Sequence, residues 1–538
     1  MNNNFIKAIG GFGEFGGNCT LISVNGHGII IDSGIMFSSD DSNGIDKIIP
    51  DFSLIGAETE VEIDAVIITH SHEDHTGSLY ELLKTYKVPV YLSSYAINPV
   101  RDYLFESGIK DPLLVPINDK KSYKINDFFT FTAIEVDHSI PSTHCIFLEF
   151  KTINERYGFL VTGDFKKGTW YDTAAQYSGM IDFMLCDSTG SMSRAQNVTE
   201  VELLDSFEKI MESAQGRIFF TLFSSNAERM KTIMEAAARH QRHVTVCGRG
   251  AEKHFSNALD CGVIAPSNWI PSEDLGKYDE NQQVIIITGS QGEPNSALNR
   301  LSLSIYPEFK IKPGDLIIFS SRIIPGRELA ISRMQDRLLR LGAEIIDWTS
   351  PDHVHTSGHG YKTDITDLVQ VIIPHIFIPQ HGTLRHLKES FKAVSELGIC
   401  ESCLIENSDK VIFTKDRDVE IVKGPGSTNG WVDSPSGVFI SKAHMNERRK
   451  IGARGICIVS IVVSETYNEA SFRWYGTGND QIDPKIEKEL NKMLKKHLIS
   501  DYSEDELERA VRGTVSDVFK RNYGKKPIIN IFIHKFGA

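Results

Sequence analysis

Between residues 69 and 75 the chain reads Thr69-His70-Ser71-His72-Glu73-Asp74-His75, which packs four imidazole or carboxylate donors, His70, His72, Asp74 and His75, into six residues. Burying that many imidazoles and a carboxylate without a cation is costly. Neutral imidazole and carboxylate are also the donors that Zn²⁺ and related transition metals accept. Alternation along an extended turn sets His70 and His72 on one side and leaves Asp74 and His75 to face a second ion. A metal pair needs further ligands, and candidates follow in order: His138 in Asp137-His138-Ser139-Ile140-Pro141, Asp164 in Val161-Thr162-Gly163-Asp164-Phe165, and His381 in Pro379-Gln380-His381-Gly382. Each of these alone reads as a satisfied histidine or a turn aspartate; beside the first cluster they complete a donor set. Asp32, closing Ile29-Ile30-Ile31-Asp32-Ser33-Gly34, reads either as a turn residue or as an outer acceptor that orients a metal-bound imidazole.

Two other patterns carry less. Gly11-x-Gly13-x-x-Gly16 matches the dinucleotide fingerprint, but a strand-like run, Cys19 to Val24, follows it where a helix is required. Eight scattered cysteines do not form a disulfide framework, and Cys400-Glu401-Ser402-Cys403 is a lone CxxC with no second pair at zinc-ribbon spacing.

The elements that must position these donors show in the hydrophobic pattern. The first 165 residues read as short β-runs with tight turns; Cys19 to Val24 and Ile29 to Ile31 flank the hairpin residues Asn25-Gly26-His27-Gly28. The histidine cluster follows a β-branched run, Ala65 to Thr69, and precedes helical spacing at Leu79, Leu82, Leu83 and Tyr86. From about Thr199 helices and strands alternate: helices at Leu203 to Met211 and Ala227 to His240, strands at Arg217 to Leu222, His243 to Cys247, Val284 to Thr288 and Leu316 to Phe319. That is a parallel α/β block set into the first architecture. Histidine chemistry returns after Asp347. Gly424-Pro425-Gly426-Ser427 and Gly430 then read as a linker, followed by a strand (Gly455 to Val463), two helices (Lys485 to His497, Glu504 to Arg521) and a strand (Pro527 to His534).

Composition sets the frame. The chain has 538 residues, 41% hydrophobic and 24% charged, which excludes disordered, collagen-like and membrane-embedded classes. Its length corresponds to about three domains. No apolar run reaches the ~20 residues of a membrane helix, and the start lacks a secretion signal, so a cytoplasmic location is expected. The formal charge of −14 argues against nonspecific coating of nucleic acid, but local fields and bound cations leave a nuclease open. Residues 441–538 are the basic part, at about +5.

The HxHxDH run with its later His, Asp and His resembles the metallo-β-lactamase superfamily. With the inserted α/β block it resembles the β-CASP nucleases, and among these the ribonuclease J family. Gly11-Phe12-Gly13-Glu14-Phe15-Gly16, His138-Ser139-Ile140-Pro141, Thr162-Gly163-Asp164-Phe165-Lys166, Cys186-Asp187-Ser188-Thr189, Phe223-Ser224-Ser225-Asn226, Thr288-Gly289-Ser290-Gln291-Gly292-Glu293-Pro294, Ser320-Ser321-Arg322-Ile323-Ile324-Pro325-Gly326 and Thr356-Ser357-Gly358-His359-Gly360 carry that resemblance. The chain departs from the family at Ser71 and Ser78, where glycine is usual, and at Thr383, where glutamate is common; none of the three is a ligand.

The resemblance implies an α/β fold: a metallo-β-lactamase αββα sandwich (1–198 and 348–424), an inserted β-CASP α/β domain (199–347), a linker (425–452) and a small C-terminal α/β domain (453–538) that supports a homodimer or higher homo-oligomer. It implies two divalent ions, Zn²⁺ or Mn²⁺, one on His70, His72 and His138, the other on Asp74, His75 and His381, with Asp164 bridging. Asp74, His359 and Asp187 become catalytic groups, His359 facing the scissile phosphate and Asp187 holding its ring. The implied reaction is hydrolysis of RNA phosphodiester bonds by a two-metal-activated hydroxide, 5′-to-3′ from 5′-monophosphate ends of single-stranded RNA, with endonuclease activity as well, in RNA processing and decay. For the 5′-phosphate, Ser224, Ser225 and Asn226 offer hydroxyls and backbone N–H groups, and His355, Ser357 and Gly358 add to the pocket; capping of the helix near Ala227 by Ser224 or Ser225 is a compatible role. The competing readings are a β-CASP nuclease acting mainly on DNA, a catalytically inactive scaffold of an RNA-decay complex, and a small-molecule metallohydrolase. A complete ligand set argues against the scaffold, and the α/β insert and the Asp187–His359 pair argue against the small-molecule enzyme.

Overall fold

The computed structural model describes residues 4–37, 45, 47–193, 198–324, 326–426, 430–433, 438–464, 468–476, 483–498 and 502–536. Pro325 of the Ser320–Gly326 motif and residues 427–429 and 434–437 of the expected linker lie outside them. The chain falls into two compact units, one within 1–37 and 48–429, the other mainly within 430–538.

Two sheets face each other in the first unit. The eight-stranded sheet runs Val419–Val422, Lys410–Phe413, Phe5–Gly10, Cys19–Val24, His27–Ile31, Glu62–Ile67, Val90–Ser93, Leu114–Ile117. The seven-stranded sheet runs Ser122–Lys124, Phe129–Val136, Thr143–Lys151, Arg156–Val161, Phe183–Asp187, Ile376–Gln380, Glu401–Ser402. Period-2 alternation decides which side chains meet between them: Ile22, Ile29 and Ile31 from one sheet interleave with Phe129, Phe131, Ile146 and Leu148 from the other. Both outer faces are apolar too, so helices must cover them. Ser94–Ser107 packs on the first sheet through Ala96, Val100 and Leu104. Lys362–Ile372 packs on the second through Ile365, Leu368 and Val369. The result is the αββα sandwich.

The insert is a five-stranded, all-parallel sheet in the order His243–Cys247, Gln283–Ile287, Ile218–Thr221, Leu316–Phe319, Glu344–Ile346. Its central strands, Val284-Ile285-Ile286-Ile287 and Ile218-Phe219-Phe220, are apolar without alternation because both faces are covered. Glu200–Ser213, Ala227–Arg239 and Arg249–Asp260 cover one face. Ala297–Ser302 and Glu328–Arg340 cover the other. This is the α/β block anticipated from Thr199 onward.

In the second unit, Asn468–Tyr475, Ile456–Ser464 and Ile528–Phe536 form a sheet, the first pair antiparallel and the second parallel, over helices Asp483–Leu498 and Glu504–Tyr523. The sequence reading assigns no element to Asn468–Tyr475, although Ala470, Phe472 and Trp474 alternate with Glu469, Ser471 and Arg473 at the strand period and pack on the helices. The stretch 425–452, expected as a linker, carries secondary structure in its described part. It holds a hairpin, Gly430–Asp433 with Val438–Ile440, and the helix Lys442–Arg454, whose first turn the Ser441 hydroxyl caps by accepting from the His444 N–H. At the Gly/Pro signal, Gly424 and Gly426 donate to Asp409 and Ser408 of the first unit, the division between the units falls after residue 429, and Val432 and Met445 beyond it are buried. No helix among the described residues is long and apolar enough to cross a membrane.

Candidate metal centre

The candidate donors sit where strands end. Glu62–Ile67 runs into His70 and His72, and the turn Glu73–Thr76 presents Asp74 and His75. His138 follows Phe129–Val136, Asp164 follows Arg156–Val161, Asp187 closes Phe183–Asp187 and His381 follows Ile376–Gln380. A buried strand delivers a side chain to its end with little freedom, and several parallel neighbours bring their ends to one edge of the sandwich. The backbone is pinned there. Asn18 N–H donates to Asp74 O (3.1 Å), Gly34 N–H to Asn18 O (3.0 Å) and Ile35 N–H to Glu73 O (3.0 Å). A Cβ on Gly34 would stand 1.6 Å from Asp74 O, so this close approach requires glycine.

The donors gather into overlapping groups, each within 4.8 Å: His70, His72, His138 and Asp164; Asp74, His75, Asp164 and His381; and Asp164, Asp187, His359 and His381. Donors about 2.1 Å from a tetrahedral ion lie about 3.4 Å from one another. In the first group His70 Nε2 lies 3.0 Å from His72 Nδ1, His138 Nε2 3.2 Å from the same atom, and Asp164 Oδ2 3.5 and 3.7 Å from His70 Nε2 and His138 Nε2. In the second, His75 Nε2 is 3.3 Å from Asp164 Oδ1, and Asp74 Oδ2 is 3.7 Å from His75 Nε2 and 3.3 Å from His381 Nε2. Nitrogen and carboxylate donors at these spacings fit a pair of divalent cations that share Asp164.

Second partners fix the rings. His75 Nδ1 is 2.8 Å from Asp32 Oδ2, and Asp32, in a left-handed turn conformation (φ 61°), also accepts from the Thr69 N–H (2.8 Å), so it is both a turn residue and the partner that orients the His75 ring. His138 Nδ1 donates to Gly358 O at 2.6 Å, which leaves Nε2 for the cluster. His359 Nδ1 is 2.9 Å from Asp187 Oδ2, and Asp187 Oδ1 accepts from Thr189 N–H (2.8 Å). Burial pushes His70 and His138 well below the usual imidazole value and His72 to about 4, so these rings are neutral. Burial opposes charge on His75 and His381 too. There the carboxylates win: Asp164, Asp32 and Asp74 raise His75, and Asp164 foremost raises His381 to about 10. Protons on these two rings balance Asp74 and Asp164, both held far down by the imidazoles despite burial.

All seven expected ligands and the Asp187–His359 pair therefore meet at one place. The residues expected to hold a 5′-phosphate are placed less uniformly. Ser224 and Ser225 are half-buried, and a Cβ on Gly250 would come 3.1 Å from Ser224 Oγ. The helix N-cap is Asn226, not Ser224 or Ser225; its side chain accepts from the Arg229 N–H (2.9 Å). His355 Nδ1 lies 3.3 Å from Ser320 O, and Ser357 Oγ accepts from the His359 N–H (3.1 Å). The glycine-rich turn at 11–16 lies beside the centre, since Gly11 O accepts from the His381 N–H (2.8 Å) and a Cβ on Gly16 would meet Asp74 Cβ at 3.3 Å. Sequence reasoning misses Asn18, whose Nδ2 is 3.0 Å from His75 Nε2. A lone asparagine belongs to no ligand-type pattern.

An αββα sandwich with a strand-end His/Asp centre and a parallel α/β insert defines a metal-dependent nuclease of the metallo-β-lactamase, β-CASP type. Comparison with known proteins agrees. The profile "Metallo-beta-lactamase superfamily" matches residues 12–165 and "Ribonuclease J, beta-CASP domain" matches 215–338. Similar proteins include "Ribonuclease J 1" of Streptococcus pyogenes (30% identical, covering 85% of this chain and 83% of that one) and "Ribonuclease J" of Helicobacter pylori (28%, 99% and 79%). "Ribonuclease J" of Mycolicibacterium smegmatis is 28% identical, covering 97% and 96%. A solved structure, "Crystal Structure of a Protein of Unknown Function from Enterococcus faecalis V583", shares the fold at 15% identity (TM-score 0.52; 76% of this chain, 100% of that one). The chain belongs to the ribonuclease J family and is a metal-dependent ribonuclease.

Proposed function

We propose that the chain degrades single-stranded RNA 5′-to-3′ from 5′-monophosphate ends, with endonucleolytic cleavage as a second mode, in cytoplasmic RNA processing and decay. The observation that carries the reading is the pair of buried donor sets sharing Asp164 next to the Asp187–His359 couple. In this reading His70, His72, His138 and Asp164 hold one ion, and Asp74, His75, Asp164 and His381 hold the other. Zn²⁺ is our first choice and Mn²⁺ the alternative. Bound there, two divalent cations supply an activated water and neutralise charge developing on the phosphoryl oxygens.

The chain's own groups do the rest. Gly358 O and Asp32 fix the tautomers of His138 and His75, so the nitrogens facing the centre are unprotonated when an ion is present. Burial opposes charge on His359, but Asp187 and Asp164 outweigh it and raise the ring, keeping a proton available. With Nδ1 on Asp187, the proton at Nε2 is the one to give to the 3′-oxygen as the P–O3′ bond breaks, leaving a 5′-phosphate and a 3′-hydroxyl. Asp74, as a ligand beside the attacked phosphorus, belongs with these catalytic groups. Ser224, Ser225, His355, Ser357 and the backbone at Asn226 and Gly358 form the 5′-phosphate pocket, and the C-terminal unit makes a homodimer or higher homo-oligomer.

The test is cleavage of 5′-labelled single-stranded RNA and the matching DNA, each with a 5′-monophosphate or a 5′-hydroxyl, with and without chelator and added Zn²⁺ or Mn²⁺. Chelator-sensitive release of labelled mononucleotide from 5′-monophosphate RNA is expected. Preference for DNA would replace the substrate reading, and no cleavage with any metal would leave a scaffold.

A further inference from the structure

Arg229, on the helix Ala227–Arg239 of the insert, is the largest fully buried side chain among the described residues. A buried guanidinium has to be paired and its donors satisfied. Glu200 takes two of them: Oε2 accepts from Nε and Oε1 from Nη2, each at 3.0 Å. Burial works against the Glu200 charge, and Arg229 overrides it, holding the carboxyl below its usual value. The remaining donors reach Ser320, at the end of an insert strand, and through it the chain beyond the insert. Nη1 donates to Ser320 Oγ at 2.5 Å, and Ser320 Oγ donates in turn to Val354 O at 2.6 Å. Nη1 and Nη2 also approach Val354 O and Thr356 O at 3.5 and 3.4 Å, and the Thr356 hydroxyl donates to Val198 O.

The segment so gripped leads straight to the centre. Two residues beyond Thr356, Gly358 presents the carbonyl that fixes His138, and a Cβ on Gly358 would come 2.8 Å from His138 Cε1, so the loop lies flat on that ring. One residue further, His359 meets Asp187. We propose that Arg229 is a positioning residue through which the inserted domain sets the 354–359 loop, and thereby the His138 ligand and His359. This rests on the metallonuclease reading above. It uses the fork geometry of arginine: one planar group reaches Glu200 on one side and the Ser320–Val354 pair on another, which a lysine ammonium cannot do at once.

The prediction separates the two ion sites, because Gly358 O holds the His138 ring directly, whereas the loop meets the Asp74–His75–His381 set only through the His359 ring, whose centroid lies 5.4 Å from that of His381. Arg229→Lys retains a cation for Glu200, and Ser320→Ala removes a single hydroxyl, so both chains should fold. The experiment titrates metal-stripped full chain with Zn²⁺ by calorimetry and with Co²⁺ by its visible absorption. His138→Ala identifies the binding step that contains His138. Melting temperature and RNA kcat and KM are measured in parallel. For both variants we expect that step to weaken about 10-fold, the other step to hold its wild-type affinity, kcat to fall about 10-fold with a smaller change in KM, and the melting temperature to stay within a few degrees. Wild-type affinity at both steps in both variants overturns the proposal. So does parallel weakening of both steps with a lowered melting temperature, which would make Arg229 a brace for the fold as a whole. Absence of chelator-sensitive cleavage by the wild-type chain would sink the ribonuclease reading, while the metal titrations would still decide the role of Arg229.

Discussion

At the scale of single residues, the centre assigns different work to chemically similar groups. Asp164 belongs to every donor group, with Oδ2 toward His70 and His138 and Oδ1 toward His75 and His381. Asp164→Ala should therefore abolish both metal binding and cleavage, measured as metal per chain after dialysis and as RNA turnover. His72→Ala should abolish cleavage while sparing binding at the set that lacks it. His359 is a member of neither proposed ion site, and its Nδ1 is spent on Asp187. His359→Ala should lower kcat by about 10²–10⁴-fold, the range for losing a general acid, with metal content unchanged; equal loss of both would make His359 a ligand. These donors were legible in the sequence because ligand chemistry restricts residue type. Asn18 and Arg229 were not, since an amide or guanidinium acquires its role from neighbours dozens to hundreds of positions away.

At the scale of elements, period and punctuation read well where an element is buried on a regular face. His243–Cys247 and Leu316–Phe319 have the expected ends, and Ala227–Arg239 departs by one residue. Two elements are absent from the sequence pattern as read: the strand Asn468–Tyr475, despite its period-2 alternation, and the capped helix Lys442–Arg454, which follows a glycine-rich stretch. The phosphate-pocket turn shows the same limit. The pattern Ser224-Ser225-Asn226 announces a helix start, but only the geometry reveals that Asn226 does the capping. Close backbone approach was equally invisible, and Gly34 tests it. A methyl group there meets Asp74 O, and relief requires moving the turn that carries Asp74 and His75. Gly34→Ala should cost about 1–3 kcal/mol of stability, the usual price of overpacking. It should also weaken the Asp74–His75–His381 ion site more than the other, as read by thermal melting and Zn²⁺ titration.

At the scale of the whole molecule, stability should follow pH through imidazoles that the fold keeps neutral. His144 is the cleanest case outside the donor sets: it is 2% exposed, its Nδ1 has no hydrogen-bond partner among the described residues, and burial pushes it down to about 4 despite Asp119. The unfolded chain takes up that proton near pH 6.5, before the folded chain does, so the contribution is complete above about pH 6.5 and shrinks as pH falls toward 4. Between pH 7 and 5 this one group should remove about 2 kcal/mol. His254, also pushed down to about 4 by burial, with His72 and Lys253 adding to it, acts in the same direction. Glu135, Asp137 and Glu228, which line a cavity of about 620 Å³ beside His138, oppose them: burial raises all three, so as pH falls toward the carboxylate range the folded chain binds their protons before the unfolded chain does and gains stability. The His144 contribution is isolated by comparing wild type with His144→Gln in urea melts at pH 7 and 5. The variant should lose about 2 kcal/mol less than wild type over that interval. Equal losses would mean that His144 is already protonated in the folded chain at pH 5, and that the acid limb belongs to other groups.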